Sequence, residues 1–473
     1  MHRSSLFVVV LALAPLSIAA TLRQPAAASP SARAAVESRA RVAPTDLEAK
    51  VDAIAREYLA KPGGVGLSIA VAEKGKVLLA KGYGSADAEL DVLAGSATLF
   101  RIGSVTKQFT AALVLRFVEQ GKLALDDSLA KFVPSFPLQG RTVTIRQLLN
   151  HTSGIKSYTD VGDPWHKVWP LELSHDELLA LVKDAPFDFE PGTDFRYNNT
   201  GYYLLGMVIE KVAGKSYAEV LQTEICVPLG LTRTRYDSNS DLIKDRAQGY
   251  TLEKGELVND QPIGMSQPGA AGAILSTGED LVRWQMALSS GRVVKPESFA
   301  QMTKSTVLPN GRDAKYGFGL VPDEFAGHAR VAHGGGIFGF NSMLLWIRNA
   351  DVHVAVVSNG EPVSSSKIAD AITYAALGIE KPATKDEPIP PERIGELAGE
   401  YEIAELDLGV RVFDERGQLM VQATGQSAFR IKWQGGDEFR ASFDDSVKIV
   451  FAADRQSFEL YQGGGKFTGK RAQ

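Results

Sequence analysis

The spacing of strand-like runs restricts this chain's fold more than any other feature. Gly66 to Ala72 and Val77 to Gly82 are short and β-rich, and they flank Glu73-Lys74-Gly75, which predicts a hairpin. The next clear strand patterns come far later, at Phe338 to Arg348 and Val352 to Ser358, joined at Asn349-Ala350-Asp351. Between them the pattern is mostly helix and loop. Leu47, Val51, Ile54, Ala55 and Tyr58 recur at helical spacing and open the domain. Ser104 to Leu123 is a long helix candidate whose apolar face carries Phe109, Ala112, Leu113, Leu115, Phe117 and Val118. Ser364 to Leu377 closes the region as a helix stopped by Gly378. Strands at both ends with helices between predict one antiparallel sheet built from both ends of the domain. Helices flank it and a helical subdomain is inserted, an α+β arrangement.

Residues 380–391 carry Pro382, Pro388, Pro390 and Pro391 among charges and read as a linker. Beyond it, 392–473 changes texture. Leu419, Val421 and Ala423, then Phe429, Ile431 and Trp433, alternate with polar residues as half-buried strands do. Val410-Arg411-Val412 is not counted among these alternations. A small C-terminal antiparallel β-domain is expected, and no internal repeat is visible.

At the other end, Arg3 precedes an apolar run from Leu6 to Ala20, shorter than the about 20 residues of a membrane span. Ser17-Ile18-Ala19 offers a small-x-small cleavage site, so 1–20 reads as a signal peptide, with a retained anchor as the other reading. Residues 21–44 are an Ala/Ser/Pro-rich spacer, and a globular domain then covers 45–379. The expectation is an exported protein, periplasmic or secreted, with no stable span after cleavage. Hydrophobic residues at 44% and charged residues at 23% exclude wholesale disorder and a polytopic membrane protein. A net charge of −5 makes a poor polyanion binder, so no nucleic-acid partner is expected. The one cysteine, Cys226, allows neither an internal disulfide nor a cysteine-based metal site. The seven histidines form no His-Glu-x-x-His, and no Gly-x-Ser-x-Gly elbow exists, so neither a metal nor another cofactor is expected.

Three short motifs could carry chemistry. If a helix starts at Ser104, Lys107 lies one turn later on the same face, where its amine can reach the hydroxyl. A serine hydroxyl needs a base, and a lysine with a lowered pKa is one. The same pair would serve equally as an N-cap and a solvated lysine, and Ser364-Ser365-Ser366-Lys367 repeats the pattern where a cap is expected. Tyr197 and Asn199 share one side of an extended segment, before a helix expected near Gly201. There Tyr197 can relay a proton if a cation stabilises its phenolate, and Asn199 can bind both an amine and an amide. His333-Gly334-Gly335-Gly336 stands just before the strand expected from Phe338, and its glycines would let a substrate approach a strand edge. A polar loop and a flexible turn are the plain alternatives for these two segments.

Taken in this order, Ser-x-x-Lys, Tyr-x-Asn and a basic-residue-x-Gly motif resemble the signature of penicillin-recognising serine hydrolases. The chain is similar to the branch related to class C β-lactamases, which includes D-aminopeptidases, D-alanyl-D-alanine carboxypeptidases and esterases. Arg146 to Ile155, Gly201 to Gly206 and Gly339-Phe340 are similar to that branch as well. The resemblance covers about 45–385 and implies a β-lactamase/transpeptidase-like fold. It implies that Ser104 attacks a carbonyl, Lys107 is the acylation base and Tyr197 relays the proton to the leaving group. Asn199 would hold Lys107 and the substrate amide. His333, Gly335 and Gly336 would form the substrate-binding strand, with the N–H groups of Ser104 and Gly336 as oxyanion hole. His333 stands where β-lactamases usually carry lysine, so recognition of a substrate carboxylate should be weaker or pH-dependent. The resemblance therefore implies an exported serine hydrolase acting on amide or ester bonds of a small molecule or peptide, with β-lactam turnover secondary. The alternative is a catalytically idle penicillin-binding-like protein that binds or senses cell-wall peptides or β-lactams.

Overall fold

The computed structural model describes residues 46–381, 383–404, 408–442, 447–462 and 465–472, so the expected leader and spacer lie outside the described residues. The chain divides into two compact units at Glu380 and Lys381.

The first unit is built on a seven-stranded antiparallel sheet. Its strands are β1 (Gly66–Glu73), β2 (Lys76–Asp87), β3 (Val92–Leu93), β4 (Val321–Phe325), β5 (His328–Ile337), β6 (Phe340–Ile347) and β7 (Val352–Ser358), in the order β3-β2-β1-β7-β6-β5-β4. Strands from the early and late parts of this unit meet at the sheet's centre, with Leu67 opposite Ser358 and Glu73 opposite Val352. Every residue of β7 is buried, because helices cover both faces. Leu67, Ile69 and Val71 face one way, into a cluster with α1 (Asp46–Leu59) and α5 (Ser365–Leu377). Ala70 and Ala72 face the other way, into the larger core that contains α2 (Thr106–Glu119), α3 (Asn199–Ala213) and α4 (Gly278–Ser289). The small side chains on that face admit α4 closely enough for Ser68 Oγ to accept from Gly278 N at 2.9 Å. Phe109 of α2 stacks on the fully buried Trp284 of α4 at 4.0 Å between ring centres.

The inserted region carries strands that the sequence pattern did not announce. Phe100–Arg101, Ile274–Ser276 and Arg235–Tyr236 form a small three-stranded sheet, and Tyr250–Glu253 pairs with Glu256–Asn259. Strands of two to four residues are too short for a periodicity to register. No helix among the described residues is long and apolar enough to cross a membrane.

The second unit is a closed antiparallel barrel of eight strands, β8 (Gly399–Ile403), β9 (Leu408–Glu415), β10 (Gln418–Ala423), β11 (Phe429–Gly435), β12 (Glu438–Ala441), β13 (Lys448–Phe451), β14 (Ser457–Gln462) and β15 (Gly465–Arg471). Closure pairs Tyr401 with Arg471, which removes the free sheet edges. Its interior holds Tyr401, Leu419, Ile431, Phe439, Phe451 and Phe458. α6 (Pro391–Leu397) adds Ile394 and Leu397 to the same core. Val410-Arg411-Val412, left out of the sequence reading, is a genuine alternation within β9, with both valines buried and Arg411 exposed. Part of the proline-rich stretch is held by the barrel: Glu387 N donates to Trp433 O at 3.2 Å and Lys385 N to Gln434 Oε1 at 2.9 Å.

Candidate active site

The expected helix start at Ser104 is replaced by a tighter device. Gly103–Val105 forms a single 3-10 turn and α2 begins at Thr106, so Ser104 makes no cap hydrogen bond to the helix. Gly103 has φ +49°, a conformation that costs a side-chain-bearing residue free energy. The turn is fixed from the small sheet: Ile102 N donates to Ile274 O at 3.0 Å, and Ile274 N to Thr106 Oγ1 at 3.2 Å. Those bonds bring the Gly269–Gly272 helical turn beside Lys107.

Lys107 is fully buried, and its amine has three neighbours. Nζ lies 3.0 Å from Ser104 Oγ, 2.9 Å from Asn199 Oδ1 and 2.8 Å from Ala271 O. No carboxylate shares this environment, and burial holds the lysine pKa well below its ordinary value. A neutral amine has two hydrogens and one lone pair. Asn199 Oδ1 and the Ala271 carbonyl can only accept, so they take the two hydrogens. The lone pair is left for the Ser104 hydroxyl.

Asn199 is the first residue of α3, which starts two residues before the expected Gly201. Asn198 caps the helix by accepting from Gly201 N at 2.7 Å. Asn199 is held from behind: its N donates to Ser157 Oγ at 3.1 Å and its Nδ2 to Thr159 Oγ1 at 3.2 Å. Tyr197 places its hydroxyl in hydrogen-bond contact with Ser104, and Lys107 Nζ lies 4.8 Å from its ring centre. The residue is 37% exposed, yet the protein packed around the hydroxyl raises its pKa against the opposing Ser104 bond. The sequence reading allowed for a stabilised phenolate. The surroundings keep a neutral phenol instead.

The third motif lies inside β5 rather than before a strand at Phe338, and Phe338-Gly339 is the hairpin turn into β6. β4 pairs with β5 only as far as Ala332, opposite Val321. From His333 to Ile337 that edge of β5 has no strand partner among the described residues, and it lies against the Gly103–Val105 turn. A Cβ on Gly335 would stand 2.0 Å from Ile102 O, and one on Gly103 would stand 2.8 Å from Gly336 N. Gly336 itself is exposed. An unpaired strand edge carries free backbone N–H groups, the donors an oxyanion needs.

His333 differs from the expectation of a pH-dependent partner for a substrate carboxylate. It is buried, with Nδ1 2.6 Å from Gly334 O and Nε2 2.9 Å from Tyr316 Oη. The carbonyl requires Nδ1 to donate, and in the neutral ring Nε2 then accepts from the tyrosine. Burial, together with the nearby Lys107, lowers its pKa to about 4. Both ring nitrogens are engaged, so His333 holds the strand and offers no charge to a substrate.

The sequence reading missed Ala271, Ser157, Thr159 and Tyr316. A backbone carbonyl leaves no side-chain signature, and the other three act through folding partners far away in the chain. His151 stood only within a family-like stretch. It is buried at φ +60°, accepts from Asn198 N at 3.0 Å and packs 4.4 Å from the Tyr197 ring.

With this geometry in hand, comparison with known proteins gives consistent results. The profile of the family described as Beta-lactamase matches residues 51–378, most of the first unit. Protein flp of Staphylococcus aureus (strain MRSA252) is 30% identical over 322 residues, 66% of this chain. The match spans 63% of that relative's length, less than two thirds of it. The octameric penicillin-binding protein homologue from Pyrococcus abyssi superposes with a TM-score of 0.65 at 28% identity, covering 89% of this chain and 99% of its own. A D-stereospecific amidohydrolase from Streptomyces sp. gives 0.60 at 28% identity, with coverages of 70% and 99%.

Proposed function

The chain belongs to the beta-lactamase family, and on that premise we propose that it is a serine hydrolase working through an acyl-enzyme on Ser104. The hydrogen count at Lys107 carries this reading: with both amine hydrogens accepted by Asn199 and Ala271, the lone pair is directed at the Ser104 hydroxyl. Ser104 Oγ forms a bond to the substrate carbonyl carbon while its proton passes to Lys107 Nζ. The carbonyl electron pair moves to oxygen, stabilised by N–H groups at Ser104 and the free β5 edge. As the tetrahedral intermediate collapses, the bond to the leaving group breaks. Its nitrogen or oxygen takes the proton from Lys107 through the neutral Tyr197 hydroxyl. Water then attacks the ester by the same route in reverse.

The substrates are neutral amides and esters, including peptides of D-amino acids. A neutral His333 gives no counter-ion for a carboxylate beside the scissile bond, which places β-lactams behind them. The apolar leader of 1–20 supports action outside the cytoplasm. N-terminal sequencing of the protein recovered from culture medium or periplasm tests that assignment. The decisive experiment for the chemistry is rapid-mixing release of nitrophenol from nitrophenyl acetate. A burst equal to the enzyme concentration, absent in Ser104→Ala, is expected. Equal slow release from both proteins would favour an idle binding protein.

A further inference from the structure

We propose that Trp165, Trp169 and Phe338 form the wall that selects the acyl side chain of the substrate, an aromatic or large aliphatic group, and that Gln267 holds this wall in place. The inference rests on the acyl-enzyme reading above.

The three rings form one surface beside the β5 edge. Trp169 lies 4.6 Å from Phe338 and 5.5 Å from Trp165, and Trp165 stacks on Phe338 at 6.3 Å. All three are partly exposed, and the buried Ile263 and Met265 back Trp165 and Phe338. Phe338 follows Gly336 by two residues, a chain span of at most about 7 Å. The wall therefore stands next to the strand edge assigned to the oxyanion.

Its end of the strand identifies which half of the substrate it meets. The His333 end of β5 adjoins Tyr197, with ring centres 6.3 Å apart, and Tyr197 serves the leaving group. Phe338 lies past the opposite end of the same stretch, so the acyl half faces it.

The wall is built to stay in position. Gln267 is fully buried, and the two hydrogens of its Nε2 are shared among three loop carbonyls, Val168 O at 2.7 Å, Leu171 O at 2.6 Å and Trp169 O at 3.1 Å. Its Oε1 accepts from Trp165 Nε1 at 2.9 Å. One side chain thus binds the loop at four points. Glu172 closes the loop by accepting from Met265 N at 2.9 Å and Ser266 N at 2.8 Å. Four residues after Gln267, Ala271 receives a hydrogen of Lys107. The segment 267–271 therefore ties the wall at one end and the base at the other. A rigid apolar surface beside the reacting carbon discriminates by size, roughly 10-fold or more per group that fills it.

The test uses nitrophenyl esters of acetate, butyrate and 3-phenylpropionate with the full protein. The wild type is expected to favour phenylpropionyl over acetyl by at least about 10-fold in kcat/KM. Trp169→Ala and Phe338→Ala should each reduce that ratio several-fold, chiefly through KM for the larger ester. Trp169→Phe, a milder change, serves should Trp169→Ala fail to fold. Gln267→Leu should reduce the ratio as well, and the near-isosteric Gln267→Glu should not restore it, because a carboxylate has no hydrogen to give the loop carbonyls. A uniform fall in kcat for all esters on changing Gln267 would mark it as merely structural. A wild type that shows a Ser104-dependent burst but no preference among the acyl groups overturns the wall and leaves the acyl-enzyme standing. Absence of any Ser104-dependent burst overturns both.

Discussion

The protein contains Ser-x-x-Lys four times, and the copies at Ser104 and Ser364, each leading into a long helix, have become different objects. Ser364 has extended backbone, and its hydroxyl accepts from Lys367 N at 3.4 Å as an ordinary N-cap. Ser104 sits in a 3-10 turn, caps nothing, and its hydroxyl faces the amine of its lysine at 3.0 Å. Lys367 is half-buried, whereas Lys107 is fully buried between an asparagine oxygen and a backbone carbonyl. The spacing brings hydroxyl and lysine to one side of a helix. What makes the pair reactive comes from residues far away that strip water from the amine and use up its hydrogens.

Substitutions can break or sharpen that contrast. Ser104→Ala should lower kcat/KM for nitrophenyl acetate by about a thousandfold or more. Should Ser104→Ala retain the burst, the contrast is lost. Gly335→Ala, which places a methyl group 2.0 Å from Ile102 O, should push β5 off the nucleophile turn. A fall on the order of 10²-fold in kcat is expected, with the fold retained in circular dichroism. His333→Lys supplies the missing cation and should raise the rate of penicillin acylation by about tenfold, measured by mass spectrometry of the covalent adduct. An unchanged rate would remove charge at this position from the account of specificity.

The pH dependence gives Lys107 a further signature. The folded pKa of Lys107 lies below its unfolded value, so the unfolded chain binds more protons between the two. This residue therefore makes stability rise with pH across that interval, and the full destabilisation is present below the folded pKa. Urea midpoints taken across neutral to alkaline pH should show a smaller slope in Lys107→Met than in wild type. In activity, the acid limb of kcat/KM should appear as Lys107 takes a proton, well below an ordinary lysine. An onset near pH 10 would contradict a neutral amine. The smallest effect belongs to the copy at Ser364: Ser364→Ala should cost about 1 kcal/mol of stability. Burst kinetics should be untouched.

Much of this was legible in the sequence because it is local or periodic. The α+β arrangement follows from strand patterns at Gly66–Ala72 and Val352–Ser358 enclosing a helical middle, and both strands form as read, while the β-lactamase/transpeptidase-like fold was implied by the resemblance of the three motifs. The closing helix and its glycine stop were also visible, and Gly378 takes the left-handed conformation expected of it. The C-terminal strands could be read from alternation, but barrel closure could not, since the pairing of Tyr401 with Arg471 joins opposite ends of the unit. The charge state of His333 was out of reach for the same reason. It depends on Tyr316 across two strands and on the neighbouring Gly334 carbonyl, and neither bond leaves a pattern. Ala271 illustrates the limit most plainly, because any residue type has a carbonyl there.

The meeting of β1 and β7 at the centre of the sheet also bears on the order of events during synthesis. Leu67 has no central partner until Ser358 exists. At roughly 5–20 residues per second, a nascent chain waits some tens of seconds with β1 and β2 complete and the central ladder absent. Contacts of such long sequence separation slow folding. The first unit thus cannot gain its central strand pair while growing. It must hold off misassociation of two apolar strands until nearly all of it has been made.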